Sequence, residues 1–295
     1  MTSLHHTLSG DLSRDGDDSG SSGDDINEDS GGNGYRGLPL LLGPSLGTSL
    51  AVWEPQLPAL TPGRPVLRWD LPGHGGSAAG LVPGDGTATV ADLAALVLRL
   101  ADDRGWDRFG YAGISLGGAV GLHLAVHHPD RVAVLALLCS SAVFGDGAAW
   151  RERAASVRAE GTGPLVGPSA GRWFSRPTTA ERPPGARLLD DLRSADPAGY
   201  AACCDALAAY DLRAELPRVT APTLVLAGRD DQATPPSHAR ELADGIPGAC
   251  LLEIAHAGHL AGVERPRTVS AALRAHFASA SDATGRAARE RSGRS

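Results

Sequence analysis

The chain has 295 residues and 42% apolar content, enough for one large α/β domain, and no apolar run approaches the ~20 residues of a membrane span. Its net charge is −7, but the eight acidic residues and two arginines of 1–36 account for −6, so the remainder sits near neutral at −1. That body carries no basic stripe, and aromatics are only 4% of the chain, which argues against nucleic acid as a partner.

The four cysteines, Cys139, Cys203, Cys204 and Cys250, show no C-x-x-C spacing. They are expected to be small core residues in a reducing cytoplasm, with no metal site. The polar opening 1–10 does not read as a leader, which also favours a cytoplasmic location.

In chain order, 4–8 can form a short strand. Residues 11–36 are rich in Gly, Ser and Asp and cannot bury enough apolar surface to offset the entropy of ordering, so 1–36 is expected to be a largely disordered acidic segment. Residues 38–42 are nearly all apolar, as in a buried parallel strand. The glycine-rich stretch 43–50 follows, with Trp53 placed in the core. Residues 65–70 form the next strand and run into a Pro/Gly-rich loop. His74 there is read as a structural loop histidine rather than a base.

A helix is expected over 89–101. Thr89 and Asp92 form a capping box, and Val90, Leu93, Val97 and Leu100 form the apolar stripe. Residues 109–118, FGYAGISLGG, read as strand, sharp turn and helix start, with the helix continuing over 119–128. Residues 132–138 are a buried strand. Residues 142–212 lose the strand pattern and show helical pieces at 150–160 and 200–212, as in an inserted helical lid. Residues 222–227 return to the sheet, a helix starts at Pro235 and Pro236, and 249–254 is the last strand. A final helix begins near Pro266 and ends near 278, leaving 279–295 as a flexible tail. The alternation implies an α/β fold with a doubly wound, mostly parallel sheet, its core split into 37–141 and 213–278 around the lid.

Two G-x-S-x-G matches occur, at Ser45 and Ser115. Only Ser115 stands between a strand and a helix, the setting of a nucleophile elbow. A serine hydroxyl is a weak nucleophile and needs a base, which in turn needs an orienting acid. Candidates for both lie on loops after later strands: Asp231, with Asp230 as the alternative, and His259, with His256 as the alternative. Loops at the carboxyl ends of parallel strands share one edge of a sheet and can converge. Oxyanion donors would be the backbone N–H groups of Leu116 and of Leu46 in the glycine-rich loop.

The order Ser, Asp, His is that of the α/β-hydrolases, and several stretches resemble the 3-oxoadipate enol-lactonases of that superfamily. They are SLGTSLAVWEPQ (45–56), RWDLPGHGGS (68–77), GISLGG (113–118), VRAEG (157–161), RWF (172–174), YAACCDALAAYDLR (200–213), LVLAGRDDQATPP (224–236) and HLAGVERP (259–266). Pro72 stands where that family usually has arginine. The resemblance implies an α/β-hydrolase fold without cofactor, acting on a small enol-lactone in the catabolism of protocatechuate and catechol, the β-ketoadipate pathway. Its substrate carries a carboxylate, for which lid residue Arg172 is a candidate. Other readings are a general carboxylesterase or small-ester hydrolase, and a non-catalytic binding protein on the same fold.

Overall fold

The computed structural model describes residues 3–10 and 37–292. The expectation of disorder over 11–36 lies outside those residues. Four strands consist of side chains that are apolar almost without interruption: β2 (Leu40–Gly43), β4 (Phe109–Ile114), β5 (Val132–Leu138) and β6 (Thr223–Gly228). Such strands are buried on both faces and suit the middle of a parallel sheet covered by helices. With β1 (His6–Ser9), β3 (Val66–Trp69) and β7 (Cys250–Ile254) they form one seven-stranded sheet in the order β1-β3-β2-β4-β5-β6-β7. All neighbours are parallel except β1, which pairs antiparallel to β3 with His6 opposite Trp69. Part of 1–36 therefore belongs to the sheet, and Leu4 is buried in the core.

Helices fill the connections: α1 (Leu57–Leu60), α2 (Val90–Asp102) and α3 (Leu116–His127) before β5, and α9 (Pro236–Gly245), α10 (Ala261–Glu264) and α11 (Pro266–Ser292) around the last strands. The expected capping box opens α2: Thr89 Oγ1 accepts from the Asp92 N–H at 3.2 Å while Asp92 Oδ2 accepts from the Thr89 N–H at 2.9 Å. A cap of this kind is worth about 1 kcal/mol. Val90, Leu93, Val97 and Leu100 are all buried, as the stripe requires.

Between β5 and β6 lie five helices that form the inserted lid: α4 (Gly147–Glu160), α5 (Val166–Trp173), α6 (Pro177–Ala180), α7 (Gly185–Ser194) and α8 (Pro197–Ala208). The helix expected over 200–212 starts at Pro197, capped by Asp196, and stops at Ala208. Beyond it Asp211 bridges back to Val143, so the two ends of the insertion meet.

Two expectations fail. Cys250 is exposed, because among the described residues β7 is an edge strand paired with β6 alone. The final helix continues past residue 278 to Ser292, through a stretch whose Ala, Arg and Glu are strong helix formers. Cys139, Cys203 and Cys204 are buried as expected.

The strand order reverses direction between β2 and β4, which lie side by side with Gly43 opposite Gly113. A doubly wound sheet opens its crevice at such a switch point, at the carboxyl ends of the strands. The loops after β2 and β4 meet there.

Candidate active site

Ser115 occupies the turn between β4 and α3 at φ 55° and ψ −116°, a strained position for a residue with a side chain. The strain is held by contacts on every side. The Ser115 N–H donates to Leu138 O at 3.0 Å, Ser140 Oγ donates to Ser115 O at 2.8 Å, and Tyr111 Oη donates to Gly117 O at 2.9 Å. Glycines are needed beside it for space. A Cβ on Gly113 would collide with the Gly117 carbonyl, and one on Gly117 would lie 2.5 Å from the backbone of Gly43.

The acid and base follow β6 and β7. Asp231 Oδ2 accepts from His259 Nδ1 at 2.9 Å, and both side chains are buried. Asp231 is held in turn: Oδ1 accepts the N–H groups of Ala233 at 2.8 Å and Thr234 at 3.0 Å, and Oδ2 accepts the Thr234 hydroxyl at 2.8 Å. Burial pushes the Asp231 pKa up, but the adjacent His259 and these hydrogen bonds outweigh it, so the net shift is downward and favours the carboxylate. The alternatives separate cleanly. Asp230 and His256 are both exposed, and neither belongs to this cluster.

Ser115 and His259 line one cavity, together with Leu46, Thr234 and lid residues from α4, α5 and α8. Among the described residues the hydrogen-bond partners of the His259 ring are Asp231 and Thr234, both at Nδ1, so Nε2 is left for the serine side of the cavity. Ser45, centre of the second G-x-S-x-G, lines the cavity as well, but on the loop after β2 rather than at an elbow.

Leu116 opens α3, so its N–H has no intrahelical acceptor. The Leu46 N–H, across the switch point, pairs with no protein acceptor among the described residues. The two loops are joined directly by the Gly117 N–H, which donates to Pro44 O at 3.0 Å.

Arg172 lines the cavity from α5, as the sequence placed it, and Arg153 joins it from α4. Burial, then the nearby Arg153 cation, lowers the Arg172 pKa. Neither arginine is ion-paired to a carboxylate among the described residues. Arg153 lies 5.0 Å from the centre of the Trp150 ring, one helical turn earlier. Sequence reasoning missed Arg153, although the Trp150/Arg153 spacing of i, i+3 was readable. It also missed Glu264. That carboxylate accepts the N–H of Gly258, next to His259, at 2.6 Å and the N–H and hydroxyl of Ser175 at 3.0 and 2.9 Å. Glu264 thus ties the lid to the histidine loop.

The elbow serine, the histidine of a buried His–Asp pair and Leu46 thus line one cavity. The chain belongs to the α/β-hydrolase fold family, whose model matches residues 39–266. It is 33% identical to 3-oxoadipate enol-lactonase 2 of Acinetobacter baylyi over 80% of this chain and 87% of that protein. It is also 33% identical to a putative carbamate hydrolase, RutD, of Stutzerimonas stutzeri, over 81% of this chain and 91% of that one. Among solved structures, the enol-lactonase from Burkholderia xenovorans LB400 superposes with a TM-score of 0.80 at 34% identity, covering 94% of this chain and 96% of that one.

Proposed function

We propose that this hydrolase opens a small carboxylate-bearing enol-lactone, 3-oxoadipate enol-lactone, to 3-oxoadipate in the cytoplasm, with Ser115, His259 and Asp231 as its triad. The observation that carries the proposal is that His259, backed by buried Asp231, lines one cavity with the elbow serine and with two arginines that have no carboxylate partner among the described residues. The enol-lactonase relatives support the substrate class.

His259 takes the Ser115 proton as Oγ attacks the lactone carbonyl. The N–H groups of Leu116 and Leu46 hold the oxyanion, and one such donor is worth about 3–4 kcal/mol. The intermediate collapses by breaking the ring C–O bond. The enol that leaves takes its proton from His259 and tautomerises to the ketone. Water, activated by neutral His259, then cleaves the acyl-enzyme. Asp231 keeps the Nδ1–H tautomer of His259 and stabilises its cation. Arg153 and Arg172 hold the substrate carboxylate, the geometry for which guanidinium is suited.

The carbamate-hydrolase relatives favour a second reading, attack on a small carbamate by the same serine. Comparing kcat/KM for the enol-lactone, carbamate and p-nitrophenyl acetate decides between them. The proposal expects the lactone to lead by orders of magnitude; a lead for carbamate or plain ester overturns it.

A further inference from the structure

We infer that His74 is a positioning residue for the oxyanion hole, fixing the loop that carries the Leu46 N–H by accepting the Gly47 N–H at its Nε2. The inference rests on the triad reading above and extends it to a residue that never touches the reacting atoms. His74 is buried and is not among the residues that line the cavity.

The loop after β2 is short, and it is held at both ends. Upstream of Leu46, Pro44 O accepts the Gly117 N–H from the elbow at 3.0 Å. Downstream, the Gly47 N–H donates to His74 Nε2 at 3.0 Å. Leu46 sits between these two fastenings, so they set the direction in which its own N–H points. Gly47 adopts φ +85°, and a Cβ there would lie 2.9 Å from Leu192, so the local backbone accepts little else.

The ring can play this part in only one protonation state. Nδ1 lies 2.9 Å from Pro72 O, which can only accept, so Nδ1 carries the proton. Nε2 is then bare and free to accept from Gly47. The imidazolium would set an N–H against an N–H. The surroundings maintain the neutral ring: burial lowers the His74 pKa and outweighs the opposing pull of the Pro72 carbonyl and of Asp70, Asp191 and Asp196. The ring stacks on Tyr200 of α8 with centroids 5.8 Å apart and planes 24° apart. The same loop accepts the Asp196 N–H at Gly73 O, 2.8 Å away. His74 therefore joins the lid helix that lines the cavity to the loop that holds the oxyanion.

The test compares His74→Asn, which keeps a donor near the Nδ1 position but is too short to accept from Gly47, with His74→Gln, whose longer amide reaches the Nε2 position. Both are assayed on the enol-lactone and on p-nitrophenyl acetate, with the binding of an alkyl boronic acid measured in parallel. A displacement of about 1 Å in catalytic geometry can cost about 100-fold. His74→Asn is expected to lose about 10- to 100-fold in kcat with little change in KM, and to bind the boronate more weakly by a similar factor. His74→Gln is expected to recover most of both. Equal losses in the two variants, or no loss in either, overturn the inference.

Should His74→Asn fail to fold, 15N NMR of the histidine-labelled wild type still decides: a neutral ring with a bare Nε2 supports the role, and a protonated Nε2 overturns it. The ester keeps the two proposals separate. Wild type that turns over the ester but not the lactone removes the lactonase reading while the His74 comparison stands.

Discussion

Replacing Asp231 by Asn changes one oxygen to NH2 at a carboxylate whose every contact is with a donor. Oδ1 receives the N–H groups of Ala233 and Thr234, and Oδ2 receives His259 Nδ1 and the Thr234 hydroxyl. The amide oxygen of Asn satisfies the two backbone donors best, which aims NH2 at His259. The NH2 then donates to Nδ1 and forces the proton onto Nε2, the nitrogen that must accept from Ser115. In a protease triad this tautomer change lowers kcat by about 10⁴, equivalent to about 5 kcal/mol of transition-state stabilisation. The His259–Asp231 pair here is likewise buried and hydrogen-bonded through Nδ1, so Asp231→Asn should lose about 10⁴-fold in kcat with KM within a few-fold. Exposed Asp230→Asn should match wild type. Steady-state kinetics on the enol-lactone, or on p-nitrophenyl acetate, measures both. An Asp231→Asn enzyme that keeps more than about a tenth of its activity would refute the tautomer argument.

Two further outcomes concern stability. Gly117→Ala drives a methyl against the Gly43 and Pro44 backbone at 2.5 and 2.6 Å, where nothing flexible can yield. It should cost about 1–3 kcal/mol in urea unfolding, whereas Gly84→Ala, which meets open space, should stay within about 0.5 kcal/mol; equal effects would count against the close approach at the elbow. Burial, then the charges of His127 and His128, push the His123 pKa from 6.5 down to about 4. The unfolded chain therefore takes up this proton first as pH falls. Its contribution is complete above pH 6.5 and is lost between 6.5 and about 4, and lowered His74 adds the same sign. Urea midpoints should fall across that window, and His123→Gln should flatten part of the slope; a midpoint independent of pH contradicts this.

The elbow was legible because sterics impose glycine beside a strained serine, and that requirement is local in sequence. Which acid and which histidine act was less legible. Asp230 and Asp231 are neighbours, and only the turn toward Ala233 and Thr234 buries one while leaving the other in solvent. His256 and His259 differ in the same way. Arg153 and Glu264 escaped notice because their roles depend on how the lid packs against distant loops. His74 has its decisive partner 27 residues away, at Gly47, and nothing in the motif around it reveals that contact. Cys250 shows the reverse failure. An apolar strand pattern predicts burial, but burial depends on a neighbour, and among the described residues β7 has a neighbour on one side only.

The central claim is that Ser115 attacks the lactone. Because the leaving group of a lactone stays attached after ring opening, the acyl-enzyme must carry the whole mass of the substrate. Rapid acid quench of enzyme with enol-lactone, followed by intact-mass and peptide mass spectrometry, is expected to show that full addition on Ser115 and none in Ser115→Ala, which should also be inactive. Substrate consumed without any adduct, by an enzyme whose Ser115→Ala variant turns over as fast, would contradict the account.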